Sequence, residues 1–232
     1  MLQDKPTDYP TTQADGSPLK PFTEAILERR ATQSFLPDEV PQEYLDAILR
    51  FGTQAPSGYN LQPWRFVVVR DAENRRRLQQ VAFRQAKVAE APVVVIAVGM
   101  KEEWKETAGE VFREGAARGA GNPATVEQYS RQAVGFVSTI DAPKWVTRQT
   151  MIALTTMMYA AEVYGFDTAP MEGFDAEGVK REFGIPEEGE VVALLAIGRG
   201  REPDKPYTGR FPLSRVVYAE QFGEAWPDAS QR

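Results

Sequence analysis

The chain has 232 residues, enough for one sizeable domain or two small ones, and its 42% hydrophobic and 26% charged content allows a packed core. A net charge of −6 argues against nucleic acid or an anionic membrane as partner, although it leaves room for a local basic pocket. With no cysteine and no histidine, the sequence excludes disulfides, thiolate nucleophiles, Ser-His-Asp catalysis and the usual zinc sites, so any chemistry must come from carboxylates, Lys, Tyr or a cofactor.

Residues 1–21 carry Pro6, Pro10, Pro18 and Pro21 among polar residues and lack the basic start and apolar stretch of a signal peptide. They read as an exposed, flexible arm ahead of a domain over 22–222, with a tail over 223–232. The uncharged run from Gln149 to Ala161 is too short to span a bilayer, so a cytoplasmic location is expected.

Phe22 to Arg30 reads as a short helix with basic residues in its last turn. Pro41 sits where a second helix begins, and Tyr44, Leu45, Ile48 and Leu49 follow at helical spacing up to a stop before Pro56. Ala55 to Leu61 then crowds hydrogen-bonding residues into a turn that runs directly into a strand, Trp64 to Arg70. Asp71 caps a helix over about Ala72 to Phe83, and Pro92 to Gly99 is a continuous apolar run, the pattern of a strand buried on both faces.

Lys101 to Asn122 gives no clear pattern, being charged, alanine-rich and interrupted by glycine. Thr125 and Gln128 form a capping-box pattern that opens a helix to about Ser138. Lys144 to Tyr164 is a long helix that ends at Gly165 and is apolar on nearly every face from Met151 onward. That pattern fits a subunit interface and a central core helix equally well. Asp175 to Phe183 is a helix closed by Gly184, and Glu190 to Gly198 is another buried strand. The order of elements implies an α+β layered domain.

Four stretches carry candidate chemistry, and each has an ordinary reading when taken alone. Glu28 to Phe35 fits a solvated basic helix terminus; Ala55 to Phe66 fits a tight loop entering a strand. Ala169 to Asp175 fits a connection into a helix, and Tyr207 to Pro212 a surface turn. Together, in this order, they resemble the FMN-dependent nitroreductases. Arg29-Arg30-Ala31-Thr32-Gln33-Ser34-Phe35 is similar to that family's opening arginine segment, and Ala55-Pro56-Ser57-Gly58-Tyr59-Asn60-Leu61-Gln62-Pro63-Trp64-Arg65-Phe66 to its most specific signature. Pro170-Met171-Glu172-Gly173-Phe174-Asp175 resembles its flavin-side turn, and Gly209-Arg210-Phe211-Pro212 its terminal arginine segment.

The resemblance implies a central, mostly antiparallel sheet flanked by helices in a domain-entwined homodimer, with FMN bound between subunits. It implies Arg29 and Arg210 as phosphate ligands, with Arg30 and Ala31 at the pocket mouth and Gln33 beside them. Pro56, Ser57, Gly58 and Asn60 would reach an FMN held mainly by the other subunit, and Trp64 would anchor the strand against the interface. Arg84 and Lys87 would lie at the pyrimidine edge, where cations favour a reduced flavin. Pro170, Met171, Glu172 and Gly173 would pass along the ring, with the Glu172 N–H near N5.

Ala31, Gln33 and Arg84 depart from the family pattern of Ser, a cation and Asn respectively, and the change at Ala31 removes about 1 kcal/mol of hydrogen bonding. No side chain is needed as a catalytic base. The implied activity is ping-pong transfer of hydride from NADH or NADPH through FMN to a small-molecule acceptor, a nitroaromatic or quinone. The same fold could instead carry dehalogenation, enone reduction or flavin fragmentation, or serve as a non-catalytic FMN-binding module or a structural dimeric scaffold.

Overall fold

The computed structural model describes residues 7–202, 204 and 206–227, so residues 1–6 of the expected arm and 228–232 of the expected tail lie outside it. Four strands form one antiparallel sheet in the order β1-β2-β4-β3: β1 Trp64–Val69, β2 Val93–Met100, β3 Asp167–Met171 and β4 Gly189–Gly198. The helices are α1 Phe22–Glu28, α2 Gln42–Thr53, α3 Ala72–Val81, α4 Ala86–Glu90, α5 Glu103–Ala117, α6 Val126–Val137, α7 Ala142–Val163, α8 Ala176–Phe183 and α9 Leu213–Val216.

The sheet is the middle layer of three. Successive side chains on a strand face opposite ways. Val93, Val95 and Ala97 of β2 therefore join Ala193, Leu195 and Ile197 of β4 in a core with α2 and α7. Val94, Ile96 and Val98 join Leu194 and Ala196 in a second core with α3, α4 and α8. This two-sided burial explains why β2 and β4 are apolar at almost every position.

The two arrangements open for the long helix are resolved in part. Ala153, Leu154, Met157 and Ala161 of α7 are buried within the chain, whereas Ile152 is exposed. α7 begins two residues earlier than its pattern suggests, because Asp141 accepts a hydrogen bond from the Lys144 N–H and Pro143 occupies the first turn. Gly165, at φ +80°, ends it as expected. Trp64 is buried against Ala55 and Ala153 of its own chain.

Several elements had no clear signature. β3 contains Pro170, which lacks the N–H a central strand needs, but β3 is an edge strand and tolerates it. α5 has a narrow apolar stripe, with Trp104 and Ala108 one turn apart, and is held by packing on α6 and by the Trp104–Trp145 ring contact at 5.0 Å. The capping box at Thr125 is not formed. The Thr125 hydroxyl donates back to the Asn122 carbonyl, and Asn122 caps the turn instead by accepting from the Ala124 N–H. Pro41 is the N-cap of α2 rather than its first helical residue.

The arm is hydrogen-bonded into the body near the end of α7. The Ala14 N–H donates to Tyr164 O, the Lys20 N–H to Val163 O, and the Tyr44 hydroxyl to Gln13 O. At the other end, the expected boundary at residue 222 falls inside a small hairpin closed by a Tyr218–Ala225 bridge.

Candidate functional site

Three of the four candidate stretches meet at the β3 edge of the sheet. Residues 29–36 leave α1 and lie along β3: Ala31 bridges Thr168, and the Thr32 N–H donates to Thr168 O. Farther on, the Leu36 N–H donates to Arg199 O, and Phe35 bridges Gly200, which fixes the segment against the end of β4.

The segment over 82–90 is joined to the first stretch by Glu90, at the end of α4. Its carboxylate accepts from the Ser34 hydroxyl at 2.9 Å and from the Phe35 N–H at 3.2 Å. Lys87 lies three residues earlier on α4 and so shares that helix face. The turn over 82–85 is fastened to the third stretch: the Gln85 side-chain amide donates to Gly173 O at 2.8 Å, and the Asp175 N–H donates to Val81 O at 2.7 Å. Glu172 and Gly173 are exposed just past the end of β3. Met171 is different: its side chain is 5% exposed and belongs to the core, so only its backbone is placed to meet a ligand.

The terminal arginine segment reaches this cluster through Tyr207, whose ring lies 4.6 Å from the Arg30 guanidinium and 5.5 Å from that of Arg210. Arg30 also donates to the last carbonyls of α1, those of Leu27 and Glu28, at 2.8 and 2.5 Å. Gln33 turns its amide to the Ala31 carbonyl at 2.8 Å. Segments that carry Arg29 and Arg30, Arg84 and Lys87, and Arg210 are thus joined at one end of a chain whose net charge is −6.

The loop over 56–62 is elsewhere. The Gly58 N–H donates to the Gln149 side chain on α7 at 2.9 Å, and the Ser57 hydroxyl accepts from the Gln62 N–H at 3.0 Å. The arginine end is fixed to the same helix at Glu162 through Lys20. Thirteen residues of α7 separate Gln149 from Glu162, roughly 20 Å at 1.5 Å per residue. Pro56, Ser57, Gly58 and Asn60 are therefore held well away from Arg29 of their own chain.

Backbone conformation marks both places. Tyr59, Asn60 and Gln62 have φ of 54°, 57° and 46°, and Phe83 and Arg84 have 51° and 57°. Such left-handed residues each cost of order 1 kcal/mol, and they concentrate where a structure serves a ligand. Among the described residues, Glu220 is the one other non-glycine residue with positive φ.

Beneath the arginines, Lys20 bridges Glu162 at 2.5 Å and Glu28 at 3.1 Å. Burial pushes the Glu162 carboxyl above its usual range; Lys20, and Arg29 from nearby, offset this only in part. Lys20 moves up despite its own burial, because its two carboxylate partners outweigh it. The balance differs because the Glu162 side chain is 7% exposed and that of Lys20 21%. A carboxyl raised in the folded state favours folding below its ordinary pKa, and that advantage is lost as pH rises through the folded value. Lys20→Met should destabilise the protein by about 2 kcal/mol at neutral pH, less than for a fully buried pair because Lys20 keeps part of its hydration. Its melting deficit against the parent should be small near pH ~5 and grow toward pH ~8, as Glu162 becomes an unpaired buried anion. Melting curves at several pH values check this, and a deficit constant with pH would refute it.

Glu90, Gln85, Gln149 and Tyr207 were not singled out from sequence as site residues. They join segments far apart along the chain, and no local pattern marks such a link. Among the described residues, no helix is long and apolar enough to cross a membrane, and no group of three or more acidic side chains is placed to hold a metal ion.

Fold and site together define an α+β domain with arginine side chains gathered beside the β3 edge of its sheet. The family model for the Nitroreductase family matches residues 26–199. A Thermus thermophilus protein named NADH dehydrogenase is 37% identical over 193 residues, covering 83% of this chain and 93% of its own. The oxygen-insensitive NAD(P)H nitroreductase of Salmonella typhimurium is 28% identical over 207 residues, covering 82% and 93%. A crystal structure of a nitroreductase-type protein from Exiguobacterium sibiricum in complex with FMN superposes with a TM-score of 0.80 at 22% identity, covering 91% of this chain and 100% of that one. The chain belongs to the nitroreductase family, and with it to the NAD(P)H-dependent oxidoreductases.

Proposed function

We propose that the protein is a cytoplasmic homodimer that binds FMN between its subunits and passes reducing equivalents from NADH or NADPH to nitroaromatic or quinone acceptors in a ping-pong cycle. The observation that carries this reading is the division of the candidate residues between two places on one chain. The cationic end and the loop over 56–60 are anchored roughly 20 Å apart along α7, so they can serve one ligand only if a second copy supplies the loop.

The donor set fits a phosphorylated flavin. Arg29 and Arg210 offer guanidinium groups to a dianionic phosphate, with Arg30 and Ala31 at the mouth and Gln33 beside them. Lys87 and Arg84 place positive charge where the flavin's pyrimidine edge would lie, which favours the reduced form. Residues 170–173 supply backbone to the ring, with the Glu172 N–H assigned to N5. Pro56, Ser57, Gly58 and Asn60 of the second copy would close the site, and the missing side chain at Gly58 allows close backbone approach. When bound, FMN supplies a two-electron relay between nicotinamide and acceptor, which is how a chain without histidine can be an oxidoreductase.

Unpaired surface supports the dimer. β1 is an edge strand with no partner on its outer side among the described residues. The C-terminal segment also exposes Phe211, Leu213, Val216, Trp226 and Phe222, the last 92% exposed. Apolar surface this dense on one short segment marks an interaction site.

The test is an anaerobic absorbance titration of FMN-loaded protein with NADH and then NADPH. The expected result is bleaching of the flavin's visible band by at least one nicotinamide, and its return when a nitroaromatic or quinone is added. A bound flavin that neither nicotinamide reduces would overturn the proposed activity and favour a flavin-binding module.

A further inference from the structure

The geometry points to Tyr207 as the positioning residue of the phosphate subsite: its ring joins the guanidinium of Arg210, a proposed phosphate ligand, to that of Arg30 at the pocket mouth. This inference rests on the FMN-phosphate reading and adds to it a residue that neither contributes charge nor needs to touch the ligand.

Arg30 and Arg210 are 180 positions apart in the sequence and belong to different segments, one leaving α1 and the other preceding α9. They meet on one aromatic ring, at 4.6 and 5.5 Å from its centroid. Those distances put the two guanidinium carbons no more than about 10 Å apart, within one screening length at moderate salt, so they repel each other unless something holds them. The negative face of the phenol ring does so, because cations over an aromatic face are attracted to its quadrupole.

Each arginine is also restrained on its own side. A single Arg30 nitrogen donates to the carbonyls of Leu27, Glu28 and Arg29, fixing that guanidinium to the end of α1. Arg210 donates to the Gly209 carbonyl at 2.8 Å. Gly209, at φ +87°, turns the chain within the two residues between Tyr207 and Arg210, a conformation that side-chain-bearing residues rarely adopt. Tyr207 itself is 54% exposed, so its ring is not there to fill the core. What it does in this structure is carry two cations, and a loop late in the sequence is thereby joined to one near its start.

The experiment titrates flavin-free dimer with FMN and, separately, with riboflavin, which lacks the phosphate, and follows quenching of flavin fluorescence. Arg210→Ala is the reference for a lost phosphate contact. Tyr207→Leu removes the ring but keeps apolar bulk, and Tyr207→Phe keeps the ring without the hydroxyl.

Tyr207→Leu should weaken FMN binding by about tenfold while riboflavin changes less than about twofold, in keeping with loss of paired cation–π contacts. Tyr207→Phe should retain FMN affinity within about twofold, since the quadrupole remains. A Tyr207→Leu protein with unchanged FMN affinity, equal losses of FMN and riboflavin, or a Tyr207→Phe protein as weak as Tyr207→Leu would each overturn the assignment. If Arg210→Ala selectively loses FMN and Tyr207→Leu does not, the phosphate reading stands and the role of Tyr207 falls. If Arg210→Ala shows no selective loss, the phosphate reading fails and the role of Tyr207 fails with it.

Discussion

Ile152→Glu should yield a monomer that no longer retains FMN, with flavin affinity reduced by at least about 100-fold if an interface carboxylate is left without a partner. Ile152 is 41% exposed on a helix whose neighbouring positions Ala153 and Leu154 are fully buried, so it presents an apolar side chain to whatever covers α7. The substitution leaves the internal core untouched. Substitution of Met157 or Leu154, by contrast, would damage folding directly, because both are buried inside the chain. The consequence for FMN follows from where the candidate residues sit. Gly58 is hydrogen-bonded to Gln149 of α7, while Lys20 and the arginine end are tied to Glu162. On the proposed reading, a single copy does not bring its own Asn60 and Arg29 to one flavin. Size-exclusion chromatography with absorbance at the flavin band reads both effects in one run. A monomer that keeps full FMN occupancy would refute the shared site and return the loop over 56–60 to a purely structural role.

Gly99→Val should cost about 3 kcal/mol or more and lower the melting temperature by roughly 6–12 °C for a chain of this size. Gly99 lies on β2 under α7, and a Cβ added there would come within 2.7 Å of Val146 Cγ2 and 2.8 Å of Val146 Cβ. Val146 is buried and β-branched, so its rotamer cannot simply swing aside. The neighbouring Thr150 hydroxyl would be 3.2 Å away. The helix must shift as a body, and α7 also carries Gln149, which holds the loop over 56–60. Flavin affinity should therefore fall along with stability in this variant. Thermal melting of the flavin-free protein gives the stability term, and unchanged melting would show that α7 has room to move over β2.

Much of the architecture is legible in local pattern. β2 and β4 announce themselves as unbroken apolar runs because both their faces are covered, and Asp71, Gly165 and Gly184 mark helix ends through capping chemistry that acts over a few residues. Elements whose stability comes from elsewhere were not legible. β3 forms around Pro170 because it is the outermost strand of the sheet, joined on its outer side by the Ala31–Thr32 segment at Thr168, and α5 holds despite Gly109 and Gly115 because Trp104 finds Trp145. The Thr125 capping pattern failed for a related reason: Asn122 lies close enough to take over that end.

The same division holds for the site. By itself the sequence determined which chemistry is closed to the protein, since a chain without histidine or cysteine cannot build a thiolate or imidazole centre. It also determined the family, because the glycine, arginine and turn residues that carry the resemblance lie in short contiguous stretches. Only the tertiary structure decided which of those stretches share an end of the molecule. That choice depends on long-range links: Glu90 to Ser34, Gln85 to Gly173, and Tyr207 to both Arg30 and Arg210. Each joins residues whose separation along the chain leaves no periodicity or spacing to read, and each depends on the sheet and α7 to hold the segments within reach.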